Sequence, residues 1–174
     1  GLGLEIARAY AASGARVVVN SRQAERAARV VAMLRDEGAQ AEAFVHDLAD
    51  LRGLEHGYAQ LCRSVGTPDV LVNNVGIRIR KPMAEATLDD VVRLMNVDLI
   101  AAVELSRLAA QAMAAAGGAG RIITLTSIAG ELARAGDAIY PIAKQGLAGL
   151  VRALAVEYGQ HGITSNGIAP GTFA

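Results

Sequence analysis

Short β-branched apolar runs alternate along this chain with longer stretches whose apolar residues recur every three or four positions. The runs ARVVVN (15–20), AEAFVHD (41–47), DVLVNN (69–74), RIITLTS (121–127) and ITSNGIA (163–169) read as strands. The stretches at 1–14, 23–38, 51–66, 87–116 and 139–160 read as helices, with Gly14 and Gly38 as stop signals. Strands that alternate with helices of ten or more residues imply βαβ crossovers, and hence a parallel sheet covered on both faces. No repeat, low-complexity tract or linker interrupts the pattern, so residues 1–174 read as one α/β domain. The opening GLGLEIARAY reads as the end of a glycine-rich turn entering a helix, a turn that normally follows a strand.

Composition narrows the function. Apolar residues make up 52% and charged residues 20%, and 17 basic residues balance 17 acidic ones. No basic excess points to nucleic acid. No apolar run reaches the ~20 residues that span a bilayer, and nothing resembles a signal peptide, so the expectation is a cytoplasmic protein without a membrane partner. The single cysteine, Cys62, excludes an intrachain disulfide and a multi-thiolate zinc site. His46, His56 and His161 share no ligand spacing, and no metal is expected.

In open parallel sheets the ligand lies outside the carboxyl ends of the strands. The residues there are Asn20-Ser21-Arg22, Asp47-Leu48, Asn73-Asn74-Val75-Gly76, Ser127 and Pro170-Gly171. A further pair, Tyr140 and Lys144, stands four residues apart at the start of the last helical stretch. Taken alone, that spacing is equally that of an ordinary helix face. Only one other lysine, Lys81, occurs in the chain.

Taken together, these features resemble the short-chain dehydrogenase/reductase family over the whole of 1–174. GLG (1–3) looks like the second half of the family's T-G-x-x-x-G-x-G turn, and NNVG (73–76) is similar to its N-N-A-G. TSIAG carries Ser127 thirteen residues before Tyr140, YPIAK fits Y-x-x-x-K, and IAPG fits the proline-glycine after the sixth strand. The resemblance implies a Rossmann-type doubly wound sheet and an oxidoreductase acting on CH–OH with NAD(P) as acceptor. It also implies that the first strand is lacking, along with the C-terminal region that carries the substrate loop. That strand would lie between those at 15–20 and 69–74, so the 174 residues alone are expected to expose sheet edges and fold poorly.

The resemblance implies roles as well. Tyr140 exchanges a proton with the substrate oxygen, Ser127 hydrogen-bonds that oxygen, and Lys144 holds the ribose of the nicotinamide half. A phenol ionises near pH 10, and the charge of Lys144 on the same helix face is expected to lower that value. Gly1, Leu2 and Gly3 would meet the cofactor pyrophosphate at a helix N-terminus. Asp47 and Leu48 would contact adenine, although Asp47 also suits a helix cap. Asn74 and Gly76 would border the adenosine ribose, with Pro170 and Gly171 at the far rim, while Asn73 also suits a role in holding the sheet. Relatives that prefer NAD carry an acidic residue where this chain has Ser21, followed by Arg22. A hydroxyl and a guanidinium suit a 2′-phosphate, so NADP(H) is expected over NAD(H).

The chain departs from the family at one position of its Asn-Ser-Tyr-Lys tetrad. An ungapped match through TLDDVVRLMNVDLIAAVELSR puts Asp98, not Asn96, in the asparagine position. Its carboxylate is expected to keep Lys144 protonated and to offset the lysine's effect on Tyr140. Within the family, NSRQAE and GITSNGIAPGTFA look most like gluconate 5-dehydrogenases, which act on a sugar acid. A 3-oxoacyl-[acyl-carrier-protein] reductase is the alternative enzyme, and a non-catalytic nucleotide-binding scaffold or sensor is the alternative of another class. By resemblance the full-length protein is a homodimer or homotetramer. The small residues Gly146, Ala148 and Gly149 suit such close helix approach and suit packing within the chain equally well.

Overall fold

A computed structural model of the protein describes residues 1–171; the Thr172–Ala174 end of the PGTFA stretch lies outside the described residues. The chain divides into two units, Gly1–Asp50 and the remainder from Leu51.

The first unit is two turns of an α-then-β pattern. Helix α1 (Leu2–Ala12) leads into β1 (Val17–Ser21), and α2 (Ala24–Asp36) leads into β2 (Ala41–Val45). Both helices stop at glycines with positive φ, Gly14 at 85° and Gly38 at 87°, where a side chain would be strained. The strands pair in parallel from Val17 opposite Ala41 to Ser21 opposite Val45. Val31 and Leu34 of α2 bury against Ala41, with Val17, Val19 and Ala7 packed around them. Leu34 has no exposed surface, so its burial stabilises the unit by roughly 1.5–3 kcal/mol. The valines of β1 are half-buried throughout, and among the described residues β1 pairs with β2 alone.

The second unit holds α3 (Leu51–Val65), β3 (Val70–Asn73), α4 (Leu88–Met95), α5 (Ala101–Ala115), β4 (Arg121–Leu125), α6 (Tyr140–Tyr158) and β5 (Thr164–Ile168). Its strands run in the order β3-β4-β5, all parallel, with Val70 opposite Arg121 and Arg121 opposite Thr164. The alternation of apolar runs therefore produced parallel pairing in both units, with element ends shifted from the sequence reading by a residue or two. Among the described residues β1 and β3 each lie at an edge of their own sheet. Ala109, Ala110 and Met113 of α5 pack with Ile122, Leu154, Ile163 and Tyr58 in the main core. A second cluster of Leu94, Ile139 and Ala143 is joined by Ile77, Leu99 and Tyr140.

The long helical stretch read at 87–116 is not continuous. Thr87 caps it: its hydroxyl accepts the Asp90 N–H at 3.1 Å while the Asp90 carboxylate accepts the Thr87 N–H at 3.0 Å. Lys81 also binds that carboxylate at 2.6 Å, and the Lys81 ammonium followed by the Thr87 contacts pulls its pKa down to about 2. Between α4 and α5 the backbone widens into a π-helical segment, Asn96–Ile100, with Asp98 at its middle. Such segments recur at functional sites.

Candidate active site

Because β3, β4 and β5 are parallel, their carboxyl ends open on one rim. Asn74 and Gly76 follow β3, Ser127 follows β4, and Pro170 and Gly171 follow β5. Backbone bonds fix the last two together: the Thr126 N–H donates to the Ile168 carbonyl at 2.8 Å and the Ile128 N–H to the Pro170 carbonyl at 3.2 Å. Ser127 begins a tight turn, Ile128–Gly130, and its Oγ accepts the Ala129 N–H at 3.1 Å. Asn73 is buried below the rim, and its amide donates to Ser106 Oγ at 2.8 Å and Thr124 Oγ1 at 3.3 Å. These bonds tie β3 to β4 and α5, which is the sheet-holding role.

Tyr140 is the first residue of α6, and Pro141 follows it in the first turn, where the missing N–H removes no helical bond. Lys144 then falls one turn on. It is 4% exposed, and its ammonium lies 3.3 Å from the Leu125 carbonyl, 3.5 Å from Asp98 Oδ2 and 5.4 Å from the centre of the Tyr140 ring. Asp98 has no exposed surface, and its Oδ1 accepts the Ile77 N–H at 2.6 Å. The side chain that faces Lys144 is thus that of Asp98. Two glycines let these groups meet. A Cβ on Gly76 would stand 2.8 Å from Asp98 Oδ2 and 3.3 Å from Lys144 Nζ. A Cβ on Gly146 of α6 would stand 2.8 Å from Leu99 Cδ2, so this glycine serves close packing of the π segment on α6 within the chain.

Burial dominates the electrostatics. It pushes the Asp98 carboxyl above its usual range, against the Ile77 N–H and the Lys144 charge that favour the carboxylate. It pushes the Lys144 ammonium below its usual range, against Asp98. The Tyr140 phenol is raised, foremost by burial. Ser127, within hydrogen-bonding reach, and Arg78 act in the lowering direction, while Asp98 and Asp137 add to the rise. From the sequence the lysine is expected to lower this pKa; in the structure the lowering groups are Ser127 and Arg78 instead, and burial leads the rise with Asp98 and Asp137 adding to it.

Two groups escaped the sequence reading. Arg78, in the loop after β3, sets its guanidinium over the Tyr140 ring at 4.9 Å from the centroid. It is ion-paired with Asp137, which lies in the loop before α6 and is 4% exposed. No sequence spacing links positions 78 and 137.

The second unit therefore brings Ser127, Tyr140, Lys144, Asp98 and Gly76 together, with Pro170 and Gly171 beside the Ser127 turn. Gly1, Leu2, Gly3, Ser21, Arg22, Asp47 and Leu48 belong to the first unit. There Gly1 caps α1 without a side-chain bond, ahead of Leu2 and Gly3 in its first turn. Ser21 ends β1 and its Oγ accepts the Gln23 N–H at 3.2 Å, leaving Arg22 exposed beside it. Asp47 Oδ1 accepts the Ala49 N–H at 3.0 Å, closing a turn ahead of α3, and Leu48 is buried. No helix among the described residues is long and apolar enough to cross a membrane.

The chain is 36% identical over 174 residues to gluconate 5-dehydrogenase of Gluconobacter oxydans (strain 621H), covering all of this chain and 68% of that protein. It is 32% identical over 173 residues to 5-keto-D-gluconate 5-reductase of Escherichia coli (strain K12), covering 99% of this chain and 68% of the relative. The crystal structure of a gluconate 5-dehydrogenase from Burkholderia cenocepacia J2315 in complex with NADP and tartrate superposes with a TM-score of 0.95 at 36% identity, over 100% of this chain and 68% of that one. The profile of the short chain dehydrogenase family matches residues 1–174. This chain belongs to the short-chain dehydrogenase/reductase family, and is by that membership an oxidoreductase acting on CH–OH groups.

Proposed function

We propose that the protein interconverts a secondary alcohol and a ketone with NADP(H), and that the pair is a sugar acid and its keto form, gluconate and 5-ketogluconate. The observation that carries this reading is the convergence of Ser127, Lys144 and Asp98 on Tyr140 at the carboxyl ends of β3 and β4. The two sugar-acid relatives, and a third whose crystal holds tartrate, a hydroxy acid, support the substrate class.

The residues fit a dinucleotide. An ammonium has three donors, and the Leu125 carbonyl and Asp98 account for two directions around Lys144, leaving one for a ribose hydroxyl. Gly76 lets the Asp98 carboxylate and that ammonium pack directly against the rim backbone. The α1 N-terminus lacks a side-chain cap, so its first amides suit a phosphate. In the first unit Ser21 and Arg22 would bind the 2′-phosphate that separates NADP from NAD and Asp47 and Leu48 would contact adenine; in the second unit Asn74 would serve a ribose, and Pro170 and Gly171 the nicotinamide end.

When bound, the nicotinamide supplies or accepts the hydride. In the reducing direction Tyr140 gives its proton to the carbonyl oxygen, and its raised pKa keeps that proton in place at neutral pH. Ser127 donates a hydrogen bond to the same oxygen and stabilises the charge that develops there. Lys144 stabilises the phenolate left behind, and Asp98 keeps Lys144 charged.

The full-length protein works in this reading as a cytoplasmic homodimer or homotetramer. Turnover of 5-ketogluconate and of an acetoacetyl thioester with NADPH and NADH tests the assignment. Reduction of 5-ketogluconate with preference for NADPH is the expected result. Faster thioester reduction would make it a 3-oxoacyl-carrier reductase, and NADPH binding without reduction of either would make it a scaffold or sensor.

A further inference from the structure

We infer that Arg78, held in place by Asp137, is a positioning residue that orients Tyr140 and favours its ionised form. The inference rests on the reading of Tyr140 as the proton-transfer group. Arg78 stands in the loop that also carries Gly76 and Ile77, so it is fixed to the rim and not to α6. Its guanidinium covers one face of the phenol ring at 4.9 Å, while Lys144 approaches the same ring at 5.4 Å. Tyr140 is therefore flanked by two cations from different elements. The side chain of Arg78 is long and 37% exposed, and free it would sample many rotamers. Asp137 removes that freedom: its carboxylate is 5% exposed and one oxygen grips the guanidinium. The other oxygen, Oδ1, is buried and has no hydrogen-bond partner. A carboxylate buried this deeply needs its cation, so the pair is locked from the Asp137 side and presents the arginine to the ring.

The charged and titratable groups that face the phenol are Lys144 on α6, Asp98 on the π segment, Arg78 after β3 and Asp137 before α6, with the Ser127 hydroxyl after β4. Arg78 is the cation whose field lowers the phenol pKa directly, and Asp137 opposes it in part. Exposure and this opposition place the effect at the low end for a charge at this range.

The test is titration of Tyr140 in the full-length protein, by ultraviolet phenolate absorbance as the difference from Tyr140→Phe, beside the pH dependence of 5-ketogluconate reduction. Arg78→Leu is expected to raise the midpoint by roughly half a unit to one unit, and Arg78→Lys to restore at least about half of the shift. In an Asp137→Ala background Arg78→Leu is expected to move the midpoint by less than about 0.2 unit, because the unanchored arginine no longer holds the ring. A midpoint unmoved by Arg78→Leu overturns the inference. So does a rise in KM for 5-ketogluconate with the midpoint unmoved, which would make Arg78 a substrate-binding residue. An Arg78 effect that persists without Asp137 overturns the anchoring role. Activity retained in Tyr140→Phe would instead sink the catalytic reading, while the titration still decides on Arg78.

Discussion

The substitution Asp98→Asn isolates the buried charge that faces Lys144, at the position where the resemblance expects an asparagine. The carboxylate is fully buried, 3.5 Å from Lys144 Nζ, which is itself 5.4 Å from the Tyr140 ring centre. These two separations bound the distance from carboxylate to ring at about 9 Å. At an effective dielectric of about 20 to 40, a unit charge there is worth roughly 1 to 2 kcal/mol, or about 0.7 to 1.3 pH units. Asparagine keeps an oxygen for the Ile77 N–H, so the bond at 2.6 Å survives and only the charge is lost. In the proposed mechanism reduction needs the protonated phenol and fades as pH rises through its pKa. Removing a negative charge lowers that pKa, so the fading should move to lower pH by about 0.7 to 1.3 units. The assay is the pH dependence of kcat for NADPH-dependent reduction, compared with Asp98→Ala, which also strips the Ile77 N–H of its acceptor and should cost about 1–3 kcal/mol of stability. Thermal melting adds a second reading with its own sign. The Asp98 carboxyl stands above its ordinary range, so its contribution to stability is fully present below about pH 4 and is lost as pH rises through the folded value. Asp98→Asn should flatten the fall in Tm over that interval. An unmoved pH profile, or one moved to higher pH, would refute the reasoning.

Two further outcomes follow from the geometry. Gly76→Ala puts a methyl 2.8 Å from Asp98 Oδ2, so it should cost about 1–3 kcal/mol in thermal or urea unfolding and lower kcat at least about tenfold. Arg22→Ala should raise the KM for NADPH by about 10- to 100-fold, as expected for one charge-assisted phosphate contact, and leave that for NADH within about twofold; equal effects on both cofactors would remove Arg22 from the 2′-phosphate.

The parts of this molecule that were legible in its sequence are those set by short-range regularity. β-Branched runs and helical periods gave ten elements nearly in place, and the Tyr140–Lys144 spacing needed only one turn of α6. The register through 87–107 picked Asp98 over Asn96, and the burial of Asp98 against Lys144 follows that choice. The π-helical widening at 96–100 left no mark in the periodicity, since one wider turn shifts the apolar pattern by less than the pattern's own scatter. Arg78 and Asp137 were missed because 59 positions separate them and each sits in an irregular loop, where no periodic spacing pairs a guanidinium with a carboxylate. The direction of the Tyr140 shift was missed for a related reason. The lysine's charge is visible in the sequence, whereas the depth at which the phenol, ammonium and carboxylate are buried comes only from packing.

The account stands most directly on Tyr140 as the proton donor. In the full-length protein, NADPH-dependent reduction of 5-ketogluconate by Tyr140→Phe should fall by about 10²- to 10⁴-fold in kcat while NADPH binding stays within about threefold. A Tyr140→Phe enzyme that reduces the ketone within about threefold of the unsubstituted rate would contradict it.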